Sequence, residues 1–483
     1  MKALRTFGIG LFFMLALAGA GFAQKWTPLK NQPSFAANDA LLLTDGTVMV
    51  HDVGIQCGTP NWWRLTPDGR GSYINGTWKQ AASLPAGYMP LYHAAAVLPD
   101  GRLVIQGGEY NGPCNPPVWT NQGAVYDPLQ DQWAPLNAPA GWAQIGDAQS
   151  VVLSNGTLMI ANPFDTRDAL LNAKTLKYRG LAGVGKADAN DEEGWSLLPD
   201  GEVLTTDAGR APNSELFDPK TQRWSTAGST IVRLEDPRHA EIGPMLLRPD
   251  GTVFATGAAD SGPGHTAIYN TKTKKWVAGP DFPDSLDIAD GPAALTPSGT
   301  VLVMASPGIF QFGAKFFEWN GKKLVSAPDI PGAGSVSSFF GDMLVLPTGQ
   351  IMLTTQSNDV EIYTAKGKAK TAWAPTITTV PSIIARGQSY LVKGTQFNGL
   401  SQGAAYGDDT QAATNYPLVR ITNNATKHVF YARTHDHSSM AVATGKKPVS
   451  THFDVPAQME PGDSTLVVVA NGIASAGVAV TVQ

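Results

Sequence analysis

One tight turn recurs seven times along the chain. Its glycines are Gly46, Gly101, Gly156, Gly201, Gly251, Gly299 and Gly349, spaced 55, 55, 45, 50, 48 and 50 residues apart. Most of the turns read Asp-Gly or Asn-Gly, as in Leu98-Pro-Asp-Gly101 and Leu153-Ser-Asn-Gly156, the pairs that supply the positive φ of a tight hairpin. Apolar runs such as Ala94-Ala-Ala-Val-Leu98 lead into them, and alternating runs such as Thr300-Val-Leu-Val-Met304 lead out. Each unit then carries a second hairpin that ends in an aromatic: Trp78, Trp133, Tyr178, Trp224 or Trp276. These aromatics are expected to pack between units and to bind nothing.

A period near 50 with four strands per unit is that of a kelch-type blade, so seven units predict an all-β, seven-bladed kelch-type β-propeller. Lys25-Trp-Thr-Pro-Leu29 resembles a blade's outer strand, yet no blade precedes it, and the seventh unit stops near Tyr363 without one. The N-terminal strand is therefore expected to complete the last blade and close the ring without free sheet edges. A polar linker, 364–371, follows, and short strands with turn signals then run to the end. They predict a C-terminal immunoglobulin-like β-sandwich over 372–483, with the propeller spanning 24–371. A chain with 51 Gly, 35 Pro and only 16% charged residues suits tight turns between strands and not long surface helices.

The first 23 residues read as a secretory signal peptide: Lys2 and Arg5, an apolar stretch from Phe7 to Ala20, then the small-x-small site Gly21-Phe-Ala23. Later segments are not apolar enough to span a bilayer. The net charge is −5, and removal of Lys2 and Arg5 makes the mature chain more acidic. That balance argues against nucleic acid or an anionic membrane as partner. A secreted or periplasmic location favours disulfides, and Cys57 and Cys114 take equivalent places on adjacent blades. A Cys57–Cys114 disulfide is expected, two free thiols being the alternative.

The turns gather on one face of the ring. The other face collects the starts of the innermost strands, which are rich in acid: Asp39, Asp147, Glu192, Glu193, Glu241, Asp290 and Asp342. Carboxylates crowded at a channel mouth raise one another's pKa. They would hold a calcium-like ion, accept hydrogen bonds from sugar hydroxyls, or simply bond backbone amides of neighbouring blades. Tyr92, His93, Tyr110, Arg167, Trp195, Arg210, Arg238, His239 and His265 are placed on the same face. Aromatic rings beside charged groups suit a polyhydroxylated ligand.

Seven such blades with a C-terminal β-domain resemble the galactose oxidase and glyoxal oxidase group of secreted copper radical oxidases. Tyr92-His-Ala-Ala-Ala-Val-Leu-Pro-Asp-Gly-Arg-Leu-Val-Ile-Gln-Gly-Gly108 and Leu418-Val-Arg-Ile-Thr-Asn-Asn-Ala-Thr-Lys-His428 carry the resemblance most specifically. By register it places Tyr92 at the radical tyrosine, Tyr110 at a stacking aromatic and His428 at the ligand sent up the channel by the C-terminal domain. It also calls for a cysteine near Ala37 and an adjacent Tyr-His pair where this chain has Phe339-Phe340. Phenylalanine binds no metal, so half of the implied ligand set and the cross-link are missing. His428, His435 and His437 lie close in sequence, and the last two alternate on a strand so as to point the same way. An altered metal site would form if their loop entered the channel; ordinary interdomain histidines are the alternative.

These readings converge on a secreted, galactose-oxidase-like binding module with a degenerate copper-radical site, carbohydrate being the candidate ligand. The alternatives are an oxidase with rebuilt metal ligands, a hydrolase using the acidic mouth, and a scaffold for an envelope protein. No cofactor is required, with copper and calcium as the candidates. A monomer is expected.

Overall fold

The computed structural model describes residues 24–483 apart from Gln56; the expected signal peptide, 1–23, lies outside them. Seven antiparallel sheets form the ring, six of four strands and the sixth blade with a fifth strand added from the C-terminal part of the chain. Blade one runs Ala37–Leu42, Val48–Asp52, Trp62–Thr66 and Thr77–Gln80, and blade two begins at Ala94–Val97. The inner strands of blades three to six are Ser150–Val152, Ser196–Leu197, Ile242–Leu247 and Ala293–Leu295. All seven turn glycines have φ between 77° and 90°, the left-handed region that only glycine enters without a Cβ penalty. Lys25–Pro28 pairs with Glu361–Thr364 as the outermost strand of blade seven, so the ring closes as expected.

The outer-strand aromatics tie each blade to the one before it. Trp133 Nε1 donates to Ala82 O, Trp224 Nε1 to Asp168 Oδ2, Trp276 Nε1 to Ser214 Oγ and Trp26 Nε1 to Pro328 O, at 3.1, 2.9, 2.8 and 2.7 Å. Each covers apolar surface with its ring and satisfies its one donor across the blade interface. The Cys57–Cys114 disulfide is present and links the loops of blades one and two.

The C-terminal strands do not separate into the two sheets of the expected immunoglobulin-like sandwich. They form one nine-stranded sheet, from Thr376–Thr379 to Ile383–Ile384, curled around a core of Val392, Phe397, Val419, Ile421, Phe453, Leu466 and Val468. This domain sits on the turn face. Thr434 N donates to Thr44 O, Met440 N to Ser154 O, and the Tyr431 ring lies so close to Gly46 that a Cβ there would come within 2.4 Å of it. The opposite face of the ring is left open. Among the described residues no helix is long and apolar enough to cross a membrane.

Candidate functional site

The open face holds a mouth of about 520 Å³. Four carboxylates reach it from the starts of four inner strands: Asp147, Glu192, Glu241 and Asp290, of blades three to six. The chain turns sharply there. Tyr92, Glu192 and Asp290 have φ of 52°, 56° and 53°, a conformation that costs a non-glycine residue about 1 kcal/mol and recurs where side chains must be aimed.

Two further carboxylates come through the axis from the other side. Residues 402–416 leave the C-terminal sheet and pass along the channel as a finger. Near its base Tyr416 OH donates to Leu42 O, and Gln402 Oε1 accepts from Leu197 N at 2.7 Å. Ala404–Ala405 then pairs with Ala293–Ala294 as a fifth strand on blade six. At the tip Tyr406 OH donates to Phe339 O and Thr410 Oγ1 to His93 O, at 2.7 and 3.0 Å. The finger is built of small residues because the axis is narrow: a Cβ on Gly407 would lie 2.1 Å from Asp290 Oδ1. Its tip delivers Asp408 and Asp409, both buried, into the mouth.

Ligand atoms of Asp147, Glu192 and Asp408 lie within 4.8 Å of one another. Glu241 Oε2 and Asp290 Oδ1 are buried without hydrogen-bond partners. Among the described lining residues there is no Lys, Arg or His. Burial first, and the neighbouring carboxylates second, push Asp147, Glu192, Asp290 and Asp408 well above the usual carboxylate range and Glu241 up to about 10. Bound protons or a cation would relieve this crowding of negative charge.

Aromatic side chains from blades two, six and seven complete the lining. Tyr92 OH accepts from Gln356 Nε2 at 3.0 Å, and its ring lies edge-on to Tyr110 at 6.1 Å. Phe310, Phe339 and Phe340 form a second aromatic group in the lining, with centroids 5.1 and 4.0 Å apart along the series. Phe310 and Phe312 stand out into solvent. Cys57 lies on the rim, so the disulfide fixes one side of it.

Several expected site residues lie elsewhere. Trp195 is 1% exposed and packs on Trp224 in the core. His93 is fully buried beneath Tyr92, outside the mouth lining, with Nε2 3.0 Å from Asp39 Oδ2. Arg210 and Arg238 are exposed outside the lining. His239 is held by Asp236 at 2.9 Å, also outside it. Arg167 pairs with Asp165 and covers Trp142, and His265 pairs with Asp281. Glu193 turns away to Lys186, which also meets Asp188 and Glu215 in a buried network. Asp342 accepts from Ala40 N at 2.6 Å, and Asp39 faces two histidines.

The three C-terminal histidines do not enter the channel. Their hairpin is pinned to the turn face, where His437 N donates to Pro99 O. His428 pairs with Glu460 at 2.7 Å, and His435 lies between Asp436 and Asp454. His437 is buried against Tyr416, and burial pushes it down to about 3. His428, expected as a channel ligand, is thus outside the mouth, and the C-terminal side chains that reach it are the finger's Asp408 and Asp409.

No protein-family model matches the chain. A fungal alcohol oxidase of the AA5 family, solved in complex with copper, superposes with a TM-score of 0.53 at 13% identity over 96% of this chain and 100% of its own. Kelch-like protein terF of Aspergillus terreus is 24% identical over 239 residues, 44% of this chain; the match spans about half (48%) of that relative. The chain thus resembles the kelch and galactose-oxidase-like propellers, and the likeness extends to the fold. The copper of such oxidases does not fit the residues present here. The mouth offers only oxygen donors and a disulfide-bonded cysteine, Phe339 and Phe340 stand where a Tyr-His pair was called for, and His428 is on the far side of the ring.

Proposed function

We propose that this protein is an exported binding module whose open propeller mouth takes a polyhydroxylated, carbohydrate-class ligand. One observation carries the reading: an arc of carboxylates from blades three to six and a group of aromatic rings from blades two, six and seven line one mouth of about 520 Å³. Sugar hydroxyls donate to carboxylates, and the apolar face of a pyranose stacks on rings such as Tyr110, Phe310 and Phe340. Protonated members of the ring donate in turn to hydroxyl oxygens, so the shared protons serve both directions of hydrogen bonding. The curled C-terminal sheet, read as an immunoglobulin-like variant, is the pedestal that drives the finger to the mouth. The Cys57–Cys114 bond is in keeping with an oxidising compartment.

The test is a glycan array on the disulfide-intact mature chain, followed by calorimetry on the hits. Tyr110→Ala and Phe340→Ala should each weaken binding by about tenfold, the effect of losing roughly 1–1.5 kcal/mol of stacking. Copper-loaded protein assayed for peroxide on sugars, alcohols and aldehydes supplies the opposing outcome. Copper-dependent turnover, or binding indifferent to both substitutions, would refute the reading.

A further inference from the structure

Beneath the mouth, three side chains from blades one and two converge in the core. Asp39 lies on the inner strand of blade one, His51 on its second strand, and His93 just before the inner strand of blade two. They are 3%, 0% and 0% exposed. Asp39 Oδ2 is 3.0 Å from His93 Nε2 and 3.6 Å from His51 Nδ1, and all three atoms lie within 4.8 Å of one another. None of the three has a hydrogen-bond partner, so even the 3.0 Å approach is not an aligned bond. The ring nitrogen aims past the carboxylate oxygen, as two ligands do when they face a common third point.

The other ring nitrogens are directed at backbone carbonyls. His51 Nε2 donates to Thr59 O at 2.9 Å, and His93 Nδ1 lies 3.4 Å from Ala94 O. A carbonyl only accepts, so the Thr59 bond puts the proton of neutral His51 on Nε2 and leaves the Nδ1 lone pair facing an anion. Stacking of His51 on Trp62 at 4.8 Å holds that orientation. The His51 lone pair and a carboxylate brought together out of water repel unless a cation lies between them. Metal-bound histidines are oriented in this way, through a carbonyl behind the ring.

We propose that Asp39, His51 and His93 hold one divalent first-row transition-metal ion of the zinc class, which clamps blade one to blade two. Two imidazoles and a carboxylate are the donors such an ion selects. A cavity of about 10 Å³ beside Asp39, also lined by Tyr92 and Asp342, leaves room for a single water as a further ligand. The site is separate from the mouth, whose donors are all oxygen.

The experiment uses the full mature chain, loaded with Zn²⁺, freed of excess metal by gel filtration and analysed by mass spectrometry for metal. About one ion per chain is expected, with a raised thermal midpoint that chelation reverses. His93→Gln should lower the content at least tenfold. Because that variant would also lose metal by misfolding, Co²⁺ replaces Zn²⁺ in the unaltered chain as a second readout. Visible d–d bands without thiolate charge transfer are expected, and they should persist in the mouth double variant Asp147→Asn/Glu192→Gln. Metal that survives His93→Gln but leaves the mouth variant overturns the proposal. So does a folded chain that binds neither Zn²⁺ stoichiometrically nor Co²⁺ with such bands.

Discussion

Replacing Glu241 with Gln should stabilise the protein above neutral pH and leave it unchanged in acid. Glu241 is 8% exposed, and its Oε2 has no partner. Burial, then the charges of Glu192 and Asp408, push its pKa from 4.5 to about 10. In the unfolded chain the same carboxyl ionises near 4.5. Between these values the folded state binds a proton that the unfolded state releases, so stability falls as pH rises. The contribution is fully present below about pH 4.5 and declines by about 1.4 kcal/mol per pH unit toward the folded value. At pH 7.5, about three units above the ordinary value, the ceiling is about 4 kcal/mol. Water entering the mouth and relaxation of the neighbouring acids reduce this to roughly 1–4 kcal/mol. Glutamine keeps the shape and cannot ionise. Thermal midpoints of the two proteins, measured by calorimetry from pH 4 to 9 with a chelator present, are the assay. The midpoints should coincide at pH 4, and the variant should lead by a few degrees at pH 8. Equal slopes at every pH, or a variant that melts lower at pH 8, would show that Glu241 is ionised and held by a partner.

Lys186→Met should be among the most damaging single changes, because it strands Asp188, Glu193 and Glu215, now 2.7–2.9 Å from the ammonium. A loss of about 3–5 kcal/mol is expected in denaturant titration, partly recovered by adding Glu193→Gln. The paired change Cys57→Ser/Cys114→Ser opens a link between residues 57 apart in sequence. It should lower stability by about 2–4 kcal/mol, read as a drop in thermal midpoint that reductant no longer deepens. Trp276→Phe removes the donor to buried Ser214 Oγ and leaves part of the inter-blade ring unfilled. Unfolding by urea should show a cost of about 1–3 kcal/mol, whereas the exposed Phe312→Ser should cost close to nothing.

What could be read before the structure was whatever repeats. The turn glycines count the blades, and the missing outer strand of blade seven points to Trp26 as its completion. The same register places Asp147, Glu192, Glu241 and Asp290 at one mouth. Register alone is less reliable one residue further on, because neighbouring side chains leave the backbone in opposite directions. Glu192 faces the mouth while Glu193 joins Lys186. Tyr92 lines the mouth while His93 points into the core between blades. Parity along each inner strand would have separated these pairs, and it would have assigned Trp195 to the core with Trp224.

The finger escaped for a different reason. Ser401-Gln-Gly-Ala-Ala-Tyr-Gly-Asp-Asp-Thr410 lacks the period of a strand, and its Gly, Asp and Ser residues read as an ordinary surface loop. Its composition answers to a narrow axis: small groups where the blades press in, and polar ones where it emerges. That demand comes from seven other stretches of chain, so local pattern cannot state it. The histidine hairpin, by contrast, alternates as a strand should, yet alternation does not say which face of the ring a strand will meet. A Gly-Ala run ending in two acids, inside a domain otherwise built of β-branched strands, was the available signal. It marks the one segment of the C-terminal domain whose side chains had to fit the propeller's axis and not their own sheet.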